Sequence, residues 1–166
     1  MKLSIKIDTP EEEPPSPFAP AAAEKLEKVF EEELPFLSQE LENYAEIEIS
    51  VSFLDSAEMR NINKQHRDLD EPTDVLTFPL WEEGGRFVPP ALPFGLLSLG
   101  DIVICLEEAE REHSTMTRLE ALCLVLAHGF LHLLAWDHET PEKEETMWRR
   151  QEYLKSKLMA AAGEIF

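Results

Sequence analysis

The most apolar window of the chain, residues 121–136, carries His128 and His132 inside it. A bilayer span needs about 20 consecutive apolar residues, so this shorter stretch reads as a helix buried in a protein core. The rest of the chain must then fold so as to cover it. A length of 166 residues with 43% apolar content is enough for one such core. Fifteen Lys and Arg against thirty-four Asp and Glu give a net charge of −19, which excludes a DNA-coating protein and confines any polyanion contact to a local basic groove. Cys105 and Cys123 both lie in apolar stretches without a C-x-x-C spacing, as expected of buried thiols in a reducing compartment. Lys2, Lys6 and Asp8 interrupt the amino terminus before a signal-peptide run can form, so a cytoplasmic protein is expected.

Leu3, Ile5 and Ile7 alternate with polar residues and predict an edge strand, followed over residues 9–20 by a solvated linker with five prolines and three consecutive glutamates. Leu26, Val29, Phe30 and Leu34 recur at helical spacing over residues 21–34, and Pro35 is expected to end that helix. Ile47, Ile49, Val51 and Phe53 alternate over a strand at 46–54. Asp55 or Ser56 then caps a helix over 57–66 that buries Met59 and Ile62. Pro72 marks a turn and residues 75–80 a short strand. Residues 82–95, with three prolines and three glycines, form a loop long enough to border a site. Another strand covers 100–106. Thr117 and Glu120 make a capping box for the apolar helix, and Thr140-Pro141 opens a last, charged helix toward Leu158. With no repeat and no regular β-α-β period, the expected fold is α+β. It is a small mixed four-stranded sheet packed with about five helices, the apolar helix at the core, in one domain over residues 1–166.

Chemistry is concentrated in the run His128-Gly-Phe-Leu-His132-Leu-Leu-Ala-Trp-Asp137-His138. His128 and His132 project one helical turn apart from one face, and a chain reversal after the helix would swing His138 back toward them. One histidine on an apolar helix is ordinarily a hydrogen-bonded core residue. Two on the same face, with a third in reach, are jointly satisfied by a shared cation. Three imidazoles and an open position describe a catalytic zinc site, although nickel or another first-row ion also suits the donors. The His-x3-His-x5-His spacing equals that of metzincin peptidases, but Gly129 stands where those enzymes need a glutamate base.

The eleven-residue run more closely resembles the signature H-G-x-L-H-L-x-G-[YH]-D-H of the YbeY family of endoribonucleases. It departs at Ala135, in the glycine's place, and at Trp136, in that of Tyr or His. Two further family motifs follow the same order. Asn63-Lys-Gln-His66-Arg67-Asp-Leu-Asp-Glu-Pro72-Thr73-Asp74-Val-Leu-Thr-Phe78-Pro79 is similar to N-x-x-[YH]-R-x-x-x-x-P-T-D-V-L-[ST]-F-P, and Leu99-Gly100-Asp101-Ile102-Val103-Ile104 to L-G-D-I-x-I.

The resemblance implies a zinc-dependent endoribonuclease that cuts single-stranded rRNA in 3′-end maturation of small-subunit (16S) rRNA and in ribosome quality control. Its implied partners are the small ribosomal subunit and an Era-type GTPase. It implies His128, His132 and His138 as metal ligands and Arg67 as the phosphate-holding residue, with His128 and Arg67 the catalytic pair. From the residues alone, Arg67 would instead be a surface ion pair with Asp68 or Asp70. Lys64 and Arg60, with Lys2 and Lys6, are candidates for the RNA groove. Asp137 is either a carboxylate orienting an imidazole or a base. Asp74 and Asp101 read as turn or cap residues, His66 as a helix-end or cleft residue, and His113 as exposed. Two alternatives remain at this point: a ribosome-assembly adaptor whose zinc is structural, and a metzincin-like metallopeptidase.

Overall fold

A computed structural model describes residues 2–8, 20–91 and 95–162. The elements, in chain order, are β1 (Lys2–Asp8), α1 (Pro20–Leu37), a 3-10 turn (Gln39–Asn43), β2 (Glu46–Phe53), α2 (Ser56–Arg67), β3 (Val75–Pro79), β4 (Glu82–Glu83), β5 (Arg86–Phe87), β6 (Leu96–Ile104), α3 (Leu106–Glu112), α4 (Arg118–Leu133) and α5 (Pro141–Ala162). Four strands form a mixed sheet in the order β1-β2-β6-β3, with β1, β2 and β6 parallel and β3 antiparallel to β6. β4 and β5 make a separate hairpin whose turn uses Gly84 and Gly85 at positive φ. The α+β class, the mixed four-stranded sheet and the five helices agree with expectation, and β1 is an edge strand as its alternation predicted.

α4 is the helix expected within the apolar window 121–136 but ends at Leu133, the last three residues of the window turning away, and almost every side chain from Ala121 to Leu133 is buried. Thr117 caps it by accepting the Glu120 N–H at 3.2 Å. Glu120's carboxylate receives the Thr117 hydroxyl rather than a backbone N–H, so the box is half formed. The helix packs on β3 and β6 and is covered by α5. Phe130 meets Phe30 of α1 with ring centroids 4.1 Å apart. Asp55 and Glu58 form the full capping box of α2, and Thr140 caps α5 through the Lys143 N–H. Cys105 and Cys123 are free and buried, and burial above all pushes the Cys123 thiol up to about 12. Among the described residues no helix is long and apolar enough to cross a membrane.

Several boundaries differ from the sequence reading. Residues 9–19 of the expected linker lie outside the described residues, and α1 begins at Pro20. α1 also continues past Pro35 to Leu37. A proline this close to the end forfeits one hydrogen bond, and burial of Leu34 and Leu37 outweighs it. β6 begins at Leu96 rather than Gly100. Leu106 belongs to α3, a helix too short for its periodicity to register. In α2 it is Asn63, not Ile62, that joins Met59 in being buried.

The β6 strand carries a register shift opposite Glu48 and Ile49, and Gly100 there has φ +128°. A Cβ at Gly100 would lie 2.1 Å from the Phe78 carbonyl oxygen, so no side chain fits without parting β3 from β6. Gly100→Ala is therefore expected to destabilise the fold by at least about 2 kcal/mol in urea unfolding.

Candidate metal centre

The carboxyl end of α4 is a Schellman turn. The Trp136 N–H reaches back to the Leu131 carbonyl and the Ala135 N–H to the His132 carbonyl, both at 3.0 Å, with Ala135 left-handed at φ +65°. This reversal returns the chain across the helix end, so that one ring nitrogen from each of His128, His132 and His138 lies within 4.8 Å of the others. Ring centroids are 4.3 Å (His128–His132), 5.5 Å (His132–His138) and 6.2 Å (His128–His138) apart. The helical pair is half-buried and His138 is exposed, leaving one side of the cluster open to solvent.

The protonation pattern suits a cation. Gln151 of α5 accepts from His128 Nδ1 at 2.7 Å, which puts the ring proton on Nδ1 and turns the lone pair of Nε2 toward His132 Nε2, 2.9 Å away. Burial is the main force holding both rings below the ordinary histidine range, reinforced at His132 by its neighbour His128; His132 is brought to about 4. Neutral imidazoles whose lone pairs converge are metal donors, and a shared cation satisfies both.

His128, His132 and His138 line a cleft of about 440 Å³ together with Arg67, Thr73, Asp74, Glu82 and Asp137. Arg67 is the last residue of α2, where Asp68 turns left-handed at φ 59°, and buried Asn63 pins the following loop by donating to the Glu71 carbonyl at 2.8 Å. Its guanidinium is exposed and pairs with no acid among the described residues; the ion pair with Asp70 belongs to Arg60, at 2.8 and 3.2 Å. Arg60 thus has its fork occupied and does not line the cleft, and Lys64 sits exposed one turn before Arg67 without lining it. Lys2 and Lys6 lie on β1, at the sheet edge opposite β3, and Lys6 pairs with Glu48.

Asp137 lines the cleft but spends its oxygens on the Glu139 N–H (3.1 Å) and Lys143 (3.4 Å), and the former chiefly holds its carboxyl below the usual range. It orients no imidazole. Asp74 is the turn residue expected, accepting from the Val75 N–H, but its second oxygen lies 3.2 Å from Nε2 of His113. His113 is therefore partly buried and partnered, not exposed as its charged neighbours suggested. His66 packs edge-on to Phe78 outside the cleft, and Asp101 is an exposed strand residue. Gly129 faces the sheet, where a Cβ would meet Ile102 Cγ2 at 2.8 Å; the peptidase glutamate has no place there. Sequence reasoning missed Gln151, one polar residue among many on a charged helix, because its partner lies across the α4–α5 interface.

Residues 17–159 match the family described as Endoribonuclease YbeY. The chain belongs to the YbeY endoribonuclease family. It is 41% identical to the YbeY endoribonuclease of Geobacillus thermodenitrificans over 143 residues, 78% of this chain and 84% of that protein. It is 36% identical to that of Mycolicibacterium smegmatis over 135 residues, 79% and 75% of the two chains. The solution structure of a Thermotoga maritima protein superposes with a TM-score of 0.53 at 27% identity, covering 94% of this chain and 89% of the other.

Two expectations follow. Ala135 occupies a left-handed cap where glycine is strain-free, so Ala135→Gly should raise stability by about 1 kcal/mol and the melting temperature by about 2–4 °C. In the unfolded chain a histidine takes a proton near pH 6.5, whereas folded His132 refuses one until about 4. Between those values the unfolded state binds more protons, so this contribution is complete above 6.5 and disappears as pH falls toward 4. Chelator-treated wild type should lose melting temperature across that window more steeply than His132→Asn.

Proposed function

We propose that this protein is a zinc-dependent endoribonuclease that hydrolyses single-stranded rRNA, acting in 3′-end maturation of small-subunit (16S) rRNA and in ribosome quality control. The observation that carries the reading is a single cleft holding three converging imidazoles and an unpaired guanidinium. His128, His132 and His138 would hold the ion. When bound, a divalent cation supplies Lewis acidity toward a phosphoryl oxygen and acidifies water. Gln151 keeps His128 in the donor tautomer, and burial keeps His128 and His132 neutral.

Charge supports the same reading. Asp74, Glu82, Asp137 and Glu139 line the cleft against one arginine, so a phosphodiester is repelled unless cationic charge is added at the histidines. Arg67 then offers a planar fork to the scissile phosphate, with Lys64 beside it on α2 as a weaker contact. Arg60 would join only after releasing Asp70. Asp137, committed to Glu139 and Lys143, acts by shaping the approach to His138 rather than as a base. A net charge of −19 favours substrate delivery by partners, namely the small ribosomal subunit and an Era-type GTPase, in the cytoplasm.

Elemental analysis should find about one zinc per chain, lost in His128→Ala. Arg67→Glu should keep metal and fold while cleavage of single-stranded RNA falls at least about 100-fold. Metal-loaded wild type that associates with the small subunit but cuts no RNA would instead make the protein an adaptor with a structural ion, and digestion of casein would restore the peptidase reading.

A further inference from the structure

α5 presents Glu144, Trp148 and Gln151 at positions i, i+4 and i+7, one continuous face. With Met147 they line a second cavity, of about 270 Å³, whose other residues are His128 and His138. Trp148 is 59% exposed while Met147 beneath it is buried, so an indole stands at the rim of the histidine cluster rather than in the core. Its ring contacts no other ring or cation among the described residues, unlike Tyr153, which Arg150 and Lys157 approach at 5.6 and 5.3 Å. Glu144's carboxylate likewise has no hydrogen-bond partner among them.

The charge of this cavity says which part of a nucleotide it takes. It holds one carboxylate and no lysine or arginine, so a phosphate is better held in the neighbouring cleft, where Arg67 stands beside the same histidines. A flat apolar ring beside an acceptor-only carboxylate suits a nucleobase, which has a π-face for stacking and a hydrogen-bonding edge. Cytosine, adenine and guanine offer exocyclic amino donors to a carboxylate, whereas uracil offers only an N3–H flanked by two carbonyl oxygens that the carboxylate repels.

We propose that Trp148 and Glu144 form a base subsite beside the histidine cluster, Trp148 stacking on the base next to the scissile phosphate and Glu144 favouring bases with an amino group. The inference rests on the endoribonuclease reading and specifies its substrate contact.

The test is equilibrium binding of labelled oligocytidylate and oligouridylate to zinc-loaded protein, alongside KM and kcat for cleavage. Trp148→Ala should keep its zinc, weaken oligocytidylate binding by about tenfold and raise KM more than it lowers kcat, while Trp148→Phe recovers most of the loss. Glu144→Gln should bring the preference for cytidylate over uridylate close to unity. Wild type that cuts RNA while Trp148→Ala binds it within about twofold as tightly overturns the subsite alone. An absence of any cytidylate preference in the wild type overturns the role of Glu144. Wild type that neither binds nor cuts RNA overturns the endoribonuclease reading and this inference with it.

Discussion

The chain reversal at the end of α4 is the constraint on which the site depends. Two backbone hydrogen bonds, from Trp136 to Leu131 and from Ala135 to His132, close the helix and redirect the chain within three residues. Without them His138 would leave along the helix axis and the cluster would have two members. The turn is held although Ala135 sits in a conformation that favours glycine, because Leu133 and Leu134 before it are buried and Trp136 after it packs partly buried against the core. A small local strain is thus outweighed by core packing a residue away.

The same helix serves two environments through its periodicity. Residues on the sheet side are small or branched, and Gly129 is there because Ile102 leaves no room for a Cβ. Residues a quarter-turn away, His128 and His132, face the cleft. The core therefore positions the chemistry directly, and nothing but side-chain packing intervenes between the sheet and the histidines.

Electrostatics separates the site from the rest of the surface. Arg60, Arg111, Arg118, Arg149 and Arg150 are paired with Asp70, Glu108, Glu110, Glu145 and Glu33, whereas Arg67 at the cleft, like Arg86 on β5, makes no ion pair among the described residues. An acidic protein can bind a polyanion where one guanidinium and one cation act together over a few ångströms, since screening limits the repulsion of the distant surface to about a Debye length.

The sequence by itself determined the elements and the donor set. Periodicity marked β1, α1 and β2, a continuous apolar run marked α4, the caps at Asp55 or Ser56, Thr117 and Thr140 marked helix starts, and histidine spacing named the three imidazoles, because all of these are set by residues within a turn or two of one another. Where local signals were weak or outvoted, as at Pro35, the start of β6 and the seven-residue α3, burial decided instead. Tertiary structure alone decided the pairings made across elements: Gln151 on His128, Asp74 on His113, Arg60 rather than Arg67 on Asp70, and Trp148 beside His138. Those partners are separated by up to 39 residues, and no local pattern encodes which of many similar polar side chains the folded core will bring face to face.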